Sequence, residues 1–335
     1  MRWDNLSVEA EEARRLPGYR EEARVRRFDA PEALAIRFYE VRARSALNRV
    51  PERSRMPFRW TINPYRGCSH ACTYCFARPT HTYLDFNARE DFEREIVVKV
   101  NLPEVLRVEL ARPSWKREHV ALGTNTDPYQ WVESRYRLMP EVWEAMLESG
   151  TPCSVLTKSP LLLRDVALMR RLSERVGFTA NLSVPTLDEK AWRATEPHTP
   201  HPRKRLEAVA ELVRAGIPTG VLIAPLMPGI NDRPDQVERI LDLAGEAGAG
   251  HVGGVALHLR GEVRGIFFDW LQTHRPDLLE RYERLYRRGA YMPRDEQERV
   301  TAPARRRGSA LRARALPQAA PAPQDAPEPA QPALF

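Results

Sequence analysis

Long hydrophobic runs are absent from this sequence of 335 residues. No apolar stretch approaches the ~20 residues that a membrane-spanning helix needs. The N-terminus, MRWDNLSVEAEEARR, is too charged to be a secretory signal. We therefore expect a cytoplasmic protein that has no membrane partner.

Cysteine is also scarce, because the chain contains only four. Three of them, Cys68, Cys72 and Cys75, lie within eight positions, and the fourth is Cys153. Such crowding excludes a disulfide framework and is typical of metal or redox chemistry in a reducing compartment.

The excess of positive charge is concentrated near the C-terminus. The formal net charge is +7, but residues 299–335 carry six arginines against Asp325 and Glu328, so that segment holds +4 and the rest only +3. The folded part is nearly balanced, which argues against a dedicated DNA-binding protein. A basic tail can still add weak, salt-sensitive phosphate binding.

Six short apolar runs predict β-strands within residues 58–262. The runs are WTINPY (60–65), HVALGTN (119–125), CSVLTKS (153–159), FTANLSV (178–184), TGVLIAPL (219–226) and HVGGVALHL (251–259). Amphipathic stretches lie between them, and this alternation predicts a parallel sheet covered by helices. We assign the chain to the α/β class, as a partial (β/α)6 TIM-type barrel rather than the closed eight-stranded form.

The flanking segments have different compositions. Residues 1–57 are dense in Arg and Glu, with helix-like stretches, and predict an N-terminal helical extension. Residues 263–299 predict further C-terminal helices. Residues 300–335 are rich in Pro, Ala and Arg and contain few bulky apolar residues, which predicts a disordered basic tail.

The segment NPYRGCSHACTYCFARPTH places the three clustered cysteines in C-x₃-C-x₂-C spacing after the first predicted strand. Three thiolates can bind three irons of a cubane and leave the fourth iron open, whereas an electron-transfer cluster normally has four cysteines. An open iron implies a bound substrate or cosubstrate. The alternative is zinc with His70 or His81 as the fourth ligand, although zinc sites favour paired C-x₂-C knuckles.

The run CSHACTYC is similar to the C-x₃-C-x-aromatic-C signature of the radical S-adenosylmethionine (SAM) superfamily. NPYRGC before it and FARP after it resemble the spore photoproduct lyase-like branch, and the resemblance covers about residues 58–260. It implies a [4Fe–4S] cluster held by Cys68, Cys72 and Cys75, with SAM bound at the open iron. The family reductively cleaves SAM to a 5′-deoxyadenosyl radical, which implies an electron donor such as a flavodoxin or ferredoxin as a partner.

The resemblance also implies which residues serve SAM. The GTNTDPYQ loop corresponds to the family's amino-group site, with Thr126 or Asp127 as the acceptor. The alternative is that Asn125 and Asp127 only shape a turn before Pro128.

Further cofactor contacts are expected at the ends of later strands. Lys158 matches the SAM carboxylate, although a lysine at a strand end is ordinarily solvated. Asn181 and Ser183 are expected at the carboxylate and ribose, and the backbone of Tyr74 and Phe76 at the adenine.

Candidates for substrate contact lie in two loops. His258 and Arg260 follow the sixth predicted strand, and His198 and His201 lie in the loop after the fourth. Each of these side chains has an equally good structural interpretation.

Cys153 opens the run CSVLTKS, five positions before Lys158. At about 3.3 Å per residue, this puts it on the order of 16 Å from the strand end that faces the cofactor. Spore photoproduct lyase uses an additional cysteine as a hydrogen-atom donor, and Cys153 does not fit that position. We predict a buried, apolar role for it.

The leading hypothesis is a radical SAM enzyme that acts on nucleic acid, such as a damaged base. A rival within the superfamily is modification of a protein, a tRNA or a small metabolite. A hypothesis from another class is a zinc-binding regulatory module that uses the basic tail.

Overall fold

The computed structural model describes residues 8–52, 54 and 56–315. The strands are β1 (Val8–Arg14), β2 (Ala23–Phe28), β3 (Arg37–Val41), β4 (Leu47–Arg49), β5 (Trp60–Ile62), β6 (Tyr65–Arg66), β7 (Glu95–Lys99), β8 (Val120–Leu122), β9 (Cys153–Thr157), β10 (Phe178–Ser183), β11 (Thr219–Leu226) and β12 (His251–Ala256). The helices are α1 (Glu90–Arg94), α2 (Leu102–Leu110), α3 (Glu133–Tyr136), α4 (Leu138–Ser149), α5 (Val166–Arg175), α6 (Glu189–Thr195), α7 (Pro202–Arg214), α8 (Pro234–Glu246), α9 (Val263–His274), α10 (Leu279–Leu285) and α11 (Arg294–Ala315). None of these helices is long and apolar enough to cross a membrane.

The larger sheet has the strand order β12-β11-β10-β9-β8-β5-β4. Its first six strands are parallel neighbours, and β4 is antiparallel to β5. All six predicted strands are confirmed, and so is the α/β class. Within the described residues no pairing joins β12 back to β4, so the sheet is open.

Helices cover one face of this sheet, and every second residue of a strand points towards them. In β10, Phe178 is buried and its ring lies edge-on to Trp143 of α4, 5.3 Å between centroids. Asn181 and Ser183 alternate with Phe178, Ala180 and Leu182 along the strand and therefore point to the other face. This leaves a polar face in which a site can form.

The prediction of a helical extension at 1–57 is wrong, because the described residues there form β1 to β4 and no helix. A second sheet has the order β1-β2-β3-β7-β6. Strand β7 was also missed, since EIVVK lies inside a stretch that reads as helical; all five of its residues are buried between β3 and β6. Short apolar runs do not distinguish a helix from a strand when the pairing partner is distant in sequence.

Residues 263–299 contain α9, α10 and the start of α11. The prediction of disorder from residue 300 is wrong as far as 315, because α11 continues to Ala315 and packs on β12. Small residues make that contact: Val300 and Ala304 are buried, and Gly308 lies so close to Val252 that a Cβ would be 2.4 Å from the Val252 carbonyl oxygen. Residues 316–335 lie outside the described residues, and the division of the chain at 57, 262 and 299 stays a prediction.

Candidate active site

The three clustered cysteines begin successive tight turns directly after β6. The N–H of Ala71 donates to the Cys68 carbonyl, that of Cys75 to the Cys72 carbonyl, and that of Arg78 to the Cys75 carbonyl, each at 3.3 Å. All three thiols are free of disulfides. The loop therefore presents one thiol per turn.

The buried side chain of Arg78 stabilises this loop through hydrogen bonds. Its buried guanidinium donates to the carbonyls of Cys72 (3.0 Å), Ala71 (3.1 Å) and Arg89 (2.8 Å) and pairs with Glu93. This role of Arg78 was not predicted; its one signal in the sequence is its place in FARP, three residues after Cys75. These hydrogen bonds satisfy buried loop carbonyls and stabilise the turns.

Burial raises the pKa of all three thiols, that of Cys72 to about 12. The carboxylates of Asp127 and Glu196 raise the pKa of Cys68 and Cys72 further. The metal-free thiols therefore keep their protons, and metal binding must release them. Among the described side chains, no three His, Cys, Asp or Glu residues converge on one metal ion. A cubane does not need such convergence, because each cysteine binds a different iron, so the donor set fits a [4Fe–4S] cluster.

The Asp127 carboxylate is fully engaged by the protein. It accepts hydrogen bonds from the Tyr129 N–H (2.9 Å), the Thr157 hydroxyl (2.6 Å) and the Lys158 N–H (2.8 Å), and lies 3.3 Å from His70 Nδ1. Burial alone would raise its pKa, but the His70 ring and these hydrogen bonds lower the pKa to about 2. The bond to Tyr129 is the turn that the alternative interpretation predicted.

Thr126 holds the start of the cysteine loop. Its hydroxyl donates to the Gly67 carbonyl (2.7 Å) and accepts from Gln130 Nε2 (3.0 Å). Gln130 also donates to Gly67 (3.1 Å) and accepts from the Ser69 N–H (2.9 Å). Gln130 ends the run GTNTDPYQ, and no role was predicted for it. Together, Thr126 and Gln130 link the loop after β8 to the cysteine loop.

Three predicted cofactor residues meet at Lys158. Its ammonium lies 2.7 Å from the Ser183 hydroxyl and 5.8 Å from the centre of the Tyr74 ring. It also lies 3.4 Å from Glu196, and only 15% of the lysine side chain is exposed. Lys158 is therefore not a solvated rim residue.

Glu196 and Arg205 complete this group, and neither residue was predicted to belong to the site. Glu196 is buried, accepts from Arg205 at 2.7 Å and is hydrogen-bonded to the Tyr74 hydroxyl. Burial would raise its pKa, but Arg205 and Lys158 lower the pKa to about 2. Two cations, Lys158 and Arg205, against the Glu196 carboxylate leave the group with a charge of +1. Such a group can accept an anion.

Asn181 lies away from this group. Its amide donates to the Val155 carbonyl (3.4 Å), and its oxygen is 2.5 Å from His251 Nε2. His251 reaches it across Gly220, where a Cβ would be 2.1 Å from the same nitrogen. The structure thus gives Asn181 protein partners.

The predicted substrate residues separate into two kinds. His201 caps α7, because its Nδ1 accepts from the Arg203 N–H (3.2 Å), and its ring lies edge-on to Trp192. His198 is exposed in the same loop. His258 lies between two aromatic rings, and Arg260 donates to the Tyr291 hydroxyl.

Residues 62–244 match the family described as the radical SAM superfamily. The chain belongs to the radical SAM superfamily. It is therefore a radical SAM enzyme, whose cofactors are a [4Fe–4S] cluster and SAM. The interpretation as a zinc-binding regulatory module is not retained.

Curated relatives extend over most of this radical SAM chain. An uncharacterized protein of Mycobacterium tuberculosis is 48% identical over 84% of this chain and 83% of that protein. The radical SAM Nalpha-GlyT isomerase of Pseudomonas phage M6 is 25% identical over 56% of this chain and 37% of that protein.

Solved structures share the fold. Spore photoproduct lyase complexed with dinucleoside spore photoproduct superposes with a TM-score of 0.62 and 14% identity, covering 82% of this chain and 79% of that one. A variant of the lyase with bound SAM and the same dinucleoside gives 0.61 and 16%, covering 81% and 78%. The prediction of a radical SAM protein resembling spore photoproduct lyase is confirmed.

Proposed function

We propose that this enzyme generates a 5′-deoxyadenosyl radical from SAM bound at a [4Fe–4S] cluster on Cys68, Cys72 and Cys75, and that its substrate is nucleic acid, such as a damaged base. The observation that carries this proposal is the cationic group around Lys158, which lies over the Tyr74 ring beside the cysteine loop. When bound, the reduced cluster supplies the electron that splits the S–C5′ bond of SAM.

We infer that the six parallel strands curve as a partial barrel. The cysteine loop follows β5, and Asp127, Lys158 and Ser183 lie at or after the carboxyl ends of β8, β9 and β10. In barrels of this kind the chemistry collects at that end. The arrangement supports one site made from four neighbouring strands.

Lys158 and Ser183 are the residues best suited to the SAM carboxylate. Their group carries an uncompensated positive charge, and the Ser183 hydroxyl can reorient to donate. Asp127 and Thr126 act differently, because their polar atoms already have protein partners. We assign them the role of positioning Lys158 and the cysteine loop, and we keep the backbone of Tyr74 and Phe76 as the adenine contact.

The substrate proposal rests on two further observations. Fold neighbours bind a dinucleoside, and aromatic side chains next to the cysteine loop are exposed. An electron donor such as a flavodoxin or ferredoxin is the expected partner. Protein, tRNA or small-metabolite modification is the competing outcome of the substrate test.

The first experiment is anaerobic reconstitution with iron and sulfide, followed by measurement of SAM cleavage under a strong reductant. Lys158→Ala should keep its iron and bind SAM roughly 10- to 100-fold more weakly, because a charge-assisted hydrogen bond is lost. Lys190→Ala, on the exposed surface of α6, is the matched control and should behave like the parent. One zinc and no iron per chain would overturn the proposal.

The second experiment identifies the substrate. Irradiated, deuterated DNA is incubated with the reconstituted enzyme, and 5′-deoxyadenosine is analysed for deuterium. Transfer from DNA, and not from deuterated tRNA or peptide, is expected. Cleavage of SAM without deuterium transfer from the DNA would leave the radical chemistry standing and refute the substrate.

A further inference from the structure

We propose that an unpaired base of single-stranded DNA binds on the aromatic row formed by Phe76, His258 and Tyr291, in the cleft between β12 and α11. This proposal rests on the proposed function, because it describes how that enzyme would hold its nucleic acid. Phe76 directly follows Cys75, so the row begins at the cysteine loop.

The row is continuous and open to solvent. The His258 ring lies 5.7 Å from that of Phe76 and 5.6 Å from that of Tyr291, with the second pair stacked at 23°. Phe76 is 51% exposed and Tyr291 47% exposed. A backbone bridge between His258 and Tyr291 fixes the middle of the row. The three rings come from segments that are distant in sequence. They lie together at the surface, where a ligand can reach them.

A cleft of ≈ 370 Å³ lies beside the row and shares His258 and Tyr291 with it. Ligand sites commonly enclose about 300–1,000 Å³, so the cleft has the size for one base with its sugar. Val255, which is exposed, and Thr301 of α11 lie in the same lining. The cleft thus offers apolar, aromatic and hydroxyl groups together.

The charge of the cleft suits a phosphate backbone. Arg260 lies over the Tyr291 ring, 5.1 Å from its centre, and donates to its hydroxyl. Arg305 is exposed at the cleft, where its guanidinium donates to the Thr301 hydroxyl (3.1 Å), while Arg294 pairs with Glu298. Arginines beside exposed rings are the combination by which proteins hold single strands, since every base has a face that can stack. A paired base in a duplex has no free face to offer.

Binding is measured on the cluster-loaded enzyme by fluorescence anisotropy with a labelled oligothymidylate. Tyr291→Ala should weaken binding roughly ten-fold without changing the salt dependence, because stacking is lost and charge is kept. Tyr291→Phe, which keeps the ring, should bind like the parent. Arg305→Ala should make the negative slope of log K against log salt concentration shallower by about one, because one phosphate contact is lost.

Two matched controls come from the same chain. Tyr83 is 76% exposed and lies outside the row, and Arg306 is exposed on α11 without lining the cleft. Tyr83→Ala and Arg306→Ala should bind the oligonucleotide like the parent. Weakening by Tyr83→Ala equal to that by Tyr291→Ala would overturn the proposal.

Other outcomes also decide against it. A duplex bound as tightly as the single strand, or an oligouridylate bound more tightly than the oligothymidylate, overturns the assignment to unpaired DNA. Loss of SAM affinity in Tyr291→Ala would assign the cleft to the cofactor. SAM cleavage is also assayed without DNA on the parent and on each variant. If the parent does not cleave SAM, the proposed function is refuted and the DNA-binding surface is not. If cleavage is normal but Tyr291→Ala and Tyr83→Ala bind the oligonucleotide equally well, the DNA-binding surface alone is refuted.

Discussion

The carboxylate of Asp127 accepts a hydrogen bond from the backbone N–H of Lys158, 2.8 Å away. This bond ties the loop after β8 to the end of β9, from which the lysine side chain reaches Ser183. Because His70 contacts the same carboxylate, the cysteine loop is joined to the same point. Asp127 therefore sets the position of Lys158, the residue proposed for the SAM carboxylate, through the backbone.

Asp127→Ala is expected to leave the iron content intact and to weaken SAM binding, but through misplacement of Lys158. It should also lower the free energy of unfolding by roughly 3 kcal/mol, because a buried, hydrogen-bonded carboxylate is lost. Urea unfolding and calorimetric SAM titration measure the two effects. Asp188→Ala, which removes an exposed helix cap, should cost only about 1 kcal/mol and leave SAM affinity unchanged. Lost affinity with unchanged stability would favour direct contact with SAM.

Acid should destabilise the metal-free protein through two carboxylates. The folded pKa of Asp127 and that of Glu196 are both about 2, below their values in an unfolded chain. Their contribution is therefore complete above about pH 4.5 and is lost as the pH falls through about 2, by roughly 2–3 kcal/mol each. Denaturant unfolding across this range tests the expectation. Glu196→Gln should flatten the curve, and a parent protein equally stable throughout would contradict it.

Gly123 should tolerate no side chain. Its φ is +83°, and a Cβ would lie 1.8 Å from the Leu156 carbonyl oxygen, which cannot move without breaking the sheet. Gly216 has a similar φ of +78° with nothing within 4 Å. Gly216→Ala should thus lose roughly 1–2 kcal/mol of stability from backbone strain. Gly123→Ala should lose several times more, measured by thermal unfolding; equal losses would refute the clash.

Cys153→Ala should keep SAM cleavage and substrate turnover. The residue is fully buried at the start of β9, between Val120 and Phe178 of the adjacent strands. Its pKa is raised by burial, so it has no reactive thiolate. Stability should fall by about 1 kcal/mol. Intact SAM cleavage with a wrong product on lesion-containing DNA would instead identify it as a hydrogen-atom donor.

Truncation should separate the two halves of the C-terminal segment. Removal of residues 316–335 is expected to preserve folding, cluster content and SAM cleavage. Removal from residue 294 onwards should yield insoluble or unfolded protein, because it uncovers β12 and deletes the buried residues Val300 and Ala304. Circular dichroism and iron content distinguish the outcomes. A folded, iron-loaded protein lacking α11 would show that the helix is dispensable.

Local signals explain what the sequence predicts well. The six parallel strands are near-continuous apolar runs, and the cysteine spacing is complete within eight positions. The charged residues of β1 to β3 look helical, and β7 pairs with β3, which lies far from it along the chain. Arg78, Glu196 and Arg205 were overlooked because charged residues are ordinarily exposed, and only the fold shows that each is buried with its counter-charges.

The smaller sheet prevents residues 1–57 and the radical SAM core from being exchanged as independent units. Strand β6 immediately precedes the cysteine loop, and it is hydrogen-bonded to β7, whose other neighbour is β3. The strands that support the cysteine loop thus come from segments on both sides of residue 58. If the radical SAM core were exchanged between relatives with a cut at residue 58, the cysteine loop would lose β3, which pairs with β7. A functional chimera must carry β2 and β3 with their own β7.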